Sequence, residues 1–338
     1  MKKGDYKRGS ILIIALWSLC LLTTFVVYSG LAVRQKLSLI DRLDSRDSLH
    51  FMGEAGVNAA ILELRRKDQE DGYYALNEGW SNSPAIFDKA PVGLGSFTIG
   101  YSYDEGSAQK ARYGLLDETS KININKADAK VLTRLLVGAA GLNEQRALDL
   151  AYCIIDWRDS DSFFQHPQYG AEDGDYKGLN EPYEAKDADF EVKEELLLIR
   201  GMNREIFNNI DNFVTIYGEG VVNINTAPRQ VLLALGLRGG LVEKILSFRK
   251  GDDLAAGTYD DNVFSGTGSI VPNMTQVDLL SASEVGELTN FISGDTFTTS
   301  STDFTVKCLA SLKTKKETSE VTAVVSYEGF VRYWWEEY

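Results

Sequence analysis

From Ser10 to Val33 the chain runs 24 residues without a charge, dominated by Ile, Leu, Val, Ala and Phe. A helix of that length crosses the roughly 30 Å of hydrocarbon in a bilayer. Arg34 ends the apolar run but not the helical pattern, because Leu37, Ile40 and Leu43, then Met52, Ala55, Ala59 and Leu62, recur at spacings of three and four with charges between them. One helix of about 55–60 residues is predicted, about 85 Å long at ~1.5 Å per residue. Half of it lies in lipid and half against a soluble body.

Alternation replaces the helical period further on. Ser96–Tyr103 and Ala111–Leu116 read as strands, and Phe304–Leu312, Val321–Tyr327 and Phe330–Trp335 read as an antiparallel meander. Neither half makes a good sheet alone. The economical topology is an α+β fold in which the long N-terminal helix packs on one antiparallel sheet. A large α-helical domain, 120–295, is inserted between its strands. Residues 251–303, rich in Gly, Ser, Thr and Asp, read as loop and short helix leading back to the sheet.

The insert contains a repeat. Lys121-Ile-Asn-Ile-Asn-Lys-Ala through Leu132 returns one hundred positions later as Val221-Val-Asn-Ile-Asn-Thr-Ala through Leu232, and each copy opens a capped helix. The first continues through Leu135, Leu136, Leu142 and Ala147 to Cys153 and Trp157; the second runs through Leu235, Leu237 and Ile245 to Phe248. Between them Glu194–Met202, followed by Ile206, Ile210 and Val214, reads as a further helix-turn-helix pair. These units resemble helix-hairpin-helix (SAM-like) modules, many of which grip DNA backbone. Charge argues against that use: Asp117–Tyr217 holds 20 acidic and 11 basic residues, and the 338-residue chain carries a net charge of -14. No nucleic-acid partner is expected.

Most of the acidity lies in one loop. Between Asp156 and Glu195 there are 13 acidic and 4 basic residues. Asp156, Asp159, Asp161, Glu172, Asp173 and Asp175 are candidate ligands, since carboxylates clustered in a turning loop suit calcium, a hard cation that takes oxygen ligands. The alternatives are a solvated acidic loop and a pair of catalytic carboxylates. Trp157, Phe163, Phe164, Tyr169 and Tyr176 are expected to draw the loop inward, and buried carboxylates then need a cation. The EF-hand register is not met. No phosphate loop, nucleophile elbow or HExxH motif occurs, and His50 and His166 offer little for nucleophilic catalysis, so the chain reads as non-enzymatic. Cys20, Cys153 and Cys308 allow at most one disulfide.

The leader adds a processing signal. Lys2, Lys3, Lys7 and Arg8 against Asp5 make residues 1–9 a +3 segment that stays cytoplasmic, which places the remainder across the membrane. The apolar run is much longer than that of a cleavable secretory signal. Gly9-Ser10 directly before it resembles the class III signal of type IV pilin-like proteins. That resemblance implies cutting by a prepilin peptidase after Gly9, with Ser10 becoming a methylated N-terminus and the helix retained.

Asp117-Glu118 with Lys121–Asn125, Asp156-Trp-x-Asp-x-Asp161, Gly170–Asp173 with Tyr176, Pro182-Tyr183, Glu194–Met202 and Val222–Ala227 together resemble the minor pseudopilin K family of type II secretion systems (general secretion pathway protein K). The resemblance implies a type IV pilin-like fold with a helical insertion and calcium bound in it. It also implies a place at the pseudopilus tip with minor pseudopilins I and J, next to the major pseudopilin, in the inner membrane with the globular part periplasmic. The expected segments are 1–9 leader, 10–33 transmembrane, 34–119 first pilin-like part, 120–295 insert and 296–338 C-terminal strands. Asp187 stands where the family leads one to expect asparagine. Ordinary pilins carry glutamate at mature position five; here that position is Ile14, which suits a subunit that starts the filament, and equally suits a helix in lipid. A membrane-anchored DNA-binding or DNA-uptake protein and a metal-dependent hydrolase are the competing readings.

Overall fold

The computed structural model describes residues 8–68, 72–105, 108–277, 279–313 and 315–338. Helix α1 (Arg8–Asp68) is one element of 61 residues. Its N-terminal part is long and apolar enough to cross a membrane by length and composition. Gly9 and Ser10 lie in its first turn, while residues 1–7 of the leader lie outside the described residues.

The face by which α1 meets the sheet differs from the predicted stripe. Of that stripe Leu37, Ile40, Leu43 and Leu62 are exposed while Met52 is buried, and Leu49, Val57, Ala60 and Leu64 are buried with it. Small residues set this contact. A Cβ at Gly56 would stand 2.4 Å from Cys308 Sγ, and one at Gly53 would stand 2.6 Å from Val321 Cγ2. Glycine lets the helix axis approach the strands, and a count of large apolar residues passes over it.

After α2 (Pro84–Phe87) come β1 (Ala90–Val92), β2 (Gly95–Ile99), β3 (Tyr101–Glu105), β4 (Ala108–Arg112) and β5 (Leu116–Asp117). The last three strands are β10 (Asp303–Leu312), β11 (Thr318–Ser326) and β12 (Val331–Glu337). The sheet order is β1-β2-β10-β11-β12, with β5 also paired to β10, and every pairing is antiparallel. The long strand expected over Ser96–Tyr103 is two strands. At Gly100 the chain passes so close to Arg112 that a Cβ would lie 2.7 Å from its carbonyl oxygen. There it leaves the sheet, and β3 pairs with β4 as a separate hairpin.

The insert between β5 and β10 has two successive units. The first contains β6 (Ile122–Asn123), α3 (Ala129–Ala140), α4 (Glu144–Arg158), α5 (Asp173–Lys177), α6 (Arg204–Ile210) and β7 (Val214–Thr215). The second contains β8 (Val222–Asn223), α7 (Arg229–Leu235), α8 (Gly239–Arg249), α9 (Ile270–Gln276), α10 (Ala282–Ser293) and β9 (Phe297–Thr298). Each unit is closed by a two-residue parallel pairing, β6 with β7 and β8 with β9. In each, the leading helix ends on a left-handed glycine, Gly141 or Gly236. The segment expected to be loop and short helix holds the 12-residue α10. Its start is signalled by Ser281 and Glu284, whose carboxylate accepts the Ser281 N–H at 2.8 Å.

Two cores result. One gathers Leu132, Ile154, Leu232 and Ile245 within the insert; the other gathers Leu64, Trp80, Phe304 and Val321 between α1 and the sheet. Cys153 belongs to the first and Cys308 to the second, and both are free thiols. At the junction Asp117, 4% exposed, accepts hydrogen bonds from Ser301 Oγ at 2.7 Å and Thr226 Oγ1 at 2.5 Å, and from the Thr119 N–H at 2.8 Å. Burial pushes its carboxyl up to about 6. Neighbouring Glu118 is also buried, yet Lys121 and Lys193 more than offset that burial and hold it below the ordinary value.

Candidate functional site

The acidic loop starts at the end of α4, where the helix delivers Asp156 into the interior. Asp156 is fully buried; its Oδ1 accepts the Gln165 N–H at 3.1 Å and its Oδ2 the Ala171 N–H at 3.0 Å. Gly170, at φ 106, lies so close to it that a Cβ would meet Asp156 Oδ2 at 1.9 Å. Asp159, capping α4, accepts from Gln165 Nε2 at 2.8 Å through Oδ2, while its buried Oδ1 has no hydrogen-bond partner. Asp161 is exposed and accepts the Phe163 N–H.

Glu172 is the centre of the arrangement. It is 4% exposed, and neither carboxylate oxygen has a hydrogen-bond partner. Burial pushes this carboxyl up to about 7, and the charges of Asp156, Asp159, Asp187 and Asp161 push in the same direction. Asp187 is the residue that the candidate set omitted. Held at φ 51, a left-handed position that suits asparagine, it has a buried Oδ1 without a partner. Its departure from the expected asparagine was the signal.

Asp173 and Asp175 are engaged elsewhere. Asp173 pairs with Lys177 at 2.7 Å and accepts the Ala185 N–H; Asp175 pairs with Arg200 at 3.2 Å and accepts the Glu172 N–H. Arg200 also donates to Asp149 at 3.0 Å and to the Gly170 carbonyl at 2.5 Å, tying both sides of the loop to α4. The aromatic residues divide. Trp157 and Tyr176 are buried with ring centroids 5.3 Å apart, but Phe163 and Phe164 are 78% and 54% exposed, contrary to the expectation that all would draw the loop inward. They sit on the outer limb of the loop, beyond the carboxylates that face the core. His166 stacks on Tyr169, and His50 bonds Glu336 at 2.7 Å.

Among the described residues no three Asp, Glu, His or Cys side chains form a ready-made ligand shell. What the loop presents is a buried carboxylate without a hydrogen-bond partner, under the charges of four others, and its orphaned oxygens lack donors of the kind that a hard dication would replace. The corresponding loop of the second unit makes the contrast. There Asp260 accepts the N–H groups of Asp252 and Asp253 at 2.9 and 3.0 Å, and Asp261 accepts that of Gly257 at 2.7 Å. Backbone donors satisfy those carboxylates, so that loop makes no demand for a cation.

These features define a class: a pilin-like α+β protein with a long apolar N-terminal helix and a tandem helical insert bearing an acidic loop. Within it, residues 112–219 match the family model for type II secretion system (T2SS) protein K. The chain is 29% identical over 188 residues to the type II secretion system protein K of Aeromonas hydrophila, a match spanning 53% of this chain and 55% of that relative. The match thus spans about half the length of the curated relative. In fold it is similar, with a TM-score of 0.60 and 15% identity, to a chain in the crystal structure of the GspK-GspI-GspJ complex from the enterotoxigenic Escherichia coli type 2 secretion system, covering 90% of this chain and 99% of that one. The resemblance read from the motifs is thereby shown, and the mixed α+β architecture with it.

Proposed function

We propose that this chain is a structural minor pseudopilin of a type II secretion system, anchored in the inner membrane by residues 10–33 with its globular part in the periplasm. Cutting after Gly9 by a prepilin peptidase frees Ser10. The carrying observation is that one uninterrupted helix, α1, is apolar at its N-terminal end and packs on the sheet at its C-terminal end. A subunit built this way is pulled from lipid and stacked without refolding. The insert adds bulk on the sheet side, which suits the end of a filament, and minor pseudopilins I and J are the expected neighbours there. Ile14 in place of the pilin glutamate supports a subunit with no predecessor above it.

In this reading Glu172, Asp159, Asp187 and Asp156 hold one calcium ion. The ion supplies the positive charge that lets buried Asp156 and Glu172 stay ionised beside the half-buried Asp159 and Asp187. Complementation tests the function. The chain is expressed in a secreting bacterium lacking its own protein K, and exported enzyme is measured in the medium together with co-purification of I and J. Restored export and co-purification are expected, with loss of both for Gly9→Val. No rescue by a stably expressed, processed chain overturns the proposal.

A further inference from the structure

A cleft of about 960 Å³ opens where the insert meets the face of the sheet turned away from α1. Its walls include Tyr101, Tyr103 and Arg112 of the β3–β4 hairpin, Lys307 of β10, and Phe213 and Arg249 of the insert. The volume is that of a ligand site.

Arg112 and Arg249 are only 5% and 7% exposed. A buried guanidinium ordinarily has a carboxylate partner, because removing its charge from water alone is costly. Among the described residues, neither of these forms an ion pair. Arg112 donates through Nη2 to the Ala256 carbonyl at 2.6 Å, is hydrogen-bonded to the Tyr101 side chain and lies 4.7 Å over the Tyr103 ring, all neutral partners; Arg249 donates through Nη1 to the Ala227 carbonyl at 2.6 Å. Asp261, the carboxylate that bears on Arg249, already accepts the Gly257 N–H. No side-chain nitrogen of either arginine is both enclosed and unbonded, and both residues line the cleft.

The repeat supplies an internal comparison. Arg158 ends α4 as Arg249 ends α8, and it donates to the Ala127 carbonyl at 2.6 Å as Arg249 does to that of Ala227. Arg158 spends a second donor on the Ile124 carbonyl and is surrounded by Asp189, Asp159 and Asp128. Arg249 keeps that donor free and faces another cation, Arg112. The second unit has left its arginine short of negative charge at the cleft.

We propose that this cleft binds an acidic polypeptide segment, whose carboxylate is gripped by Arg112 and Arg249 while neighbouring residues lie along Tyr101, Tyr103 and Phe213. Guanidinium forks match a carboxylate in two parallel hydrogen bonds. The aromatic walls and the volume exceed what a small free anion fills, which favours a chain over an isolated ion.

Calorimetric titration of the detergent-solubilised full chain tests this with three probes: an N-acetylated hexapeptide of glycine, leucine and glutamate, its glutamine counterpart, and inorganic phosphate. The glutamate peptide is expected to bind, and the glutamine peptide at least about tenfold more weakly. Arg112→Gln and Arg249→Gln should each weaken binding by about tenfold or more. Because a buried change can disturb folding, Lys307→Glu on the exposed rim is the second variant; it should weaken the peptide severalfold at unchanged melting temperature. Equal binding of both peptides, binding of phosphate alone, no binding of the glutamate peptide, or indifference to Lys307→Glu overturns the proposal.

Discussion

Asn225 clasps Phe264 with two hydrogen bonds: its Nδ2 donates to the Phe264 carbonyl at 2.9 Å and its Oδ1 accepts the Phe264 N–H at 2.9 Å. One hundred residues earlier Asn125 clasps Phe190 in the same way, at 3.0 and 2.8 Å. Each clasp spans its unit's acidic loop and fastens the far end to the Asn-Ile-Asn segment that began the unit. The repeated sequence is thus a repeated closure.

Asn225→Ala leaves the Phe264 N–H and carbonyl unpaired in a buried site, so it is expected to destabilise the chain by about 1–3 kcal/mol. Asn125 is partly exposed, and its alanine variant should cost less because water reaches the freed groups. Urea unfolding of the two variants side by side checks the order; equal losses contradict it.

Glu172→Gln should reverse sign with calcium. In chelator the variant removes a carboxylate that has no hydrogen-bond partner, and it should melt above the parent chain. In millimolar calcium the parent should gain by mass action while the variant gains little, so the order inverts. Melting curves under both conditions decide it, and a parent chain indifferent to calcium refutes the cation reading.

Asp117 gives a pH prediction. Its ordinary value is 3.8 and burial raises it to about 6 in the folded chain, so folding favours the protonated form. Its contribution is therefore complete below about pH 4 and is lost as pH rises through about 6. Asp117→Asn should flatten the fall in stability over that window. Melting temperatures at saturating calcium from pH 4 to pH 7 report it; identical slopes for parent and variant would falsify the assignment.

Gly56→Val drives two methyl groups toward Cys308 and Phe97, whose nearest atoms would stand 2.4 and 3.2 Å from a Cβ. The expected loss is about 1–3 kcal/mol or more from overpacking, and it should be partly recovered by Cys308→Ala. A double-mutant cycle measures the coupling.

How far the fold was legible follows the length scale of each signal. The 61-residue helix, the three C-terminal strands and the doubled Asn-Ile-Asn segment announce themselves through periods and repeats that need no tertiary partner. The face of α1 did not, because Gly53 and Gly56 carry the contact and glycine has no hydropathy to count. The strand break at Gly100 depends on Arg112, which is remote in sequence. Within the loop, carboxylate density could not separate Glu172 and Asp159, which have buried oxygens without a partner, from Asp173 and Asp175, whose charges Lys177 and Arg200 meet. Asp187 was visible only as a departure from expectation, since its left-handed backbone is a property of the folded loop.

The pairing of β5 with β10 sets Asp117 directly across from Phe304. Opposed residues on antiparallel strands are about 5 Å apart, so everything between them leaves and re-enters the sheet through a gap one strand wide. To the pilin-like body, the whole insert is topologically a hairpin loop. Loop-closure entropy grows only slowly with length, and a folded insert with adjacent ends adds little to it. The insert is therefore a cassette: it can lengthen, duplicate a unit or take on a ligand while the strands that carry it keep their register.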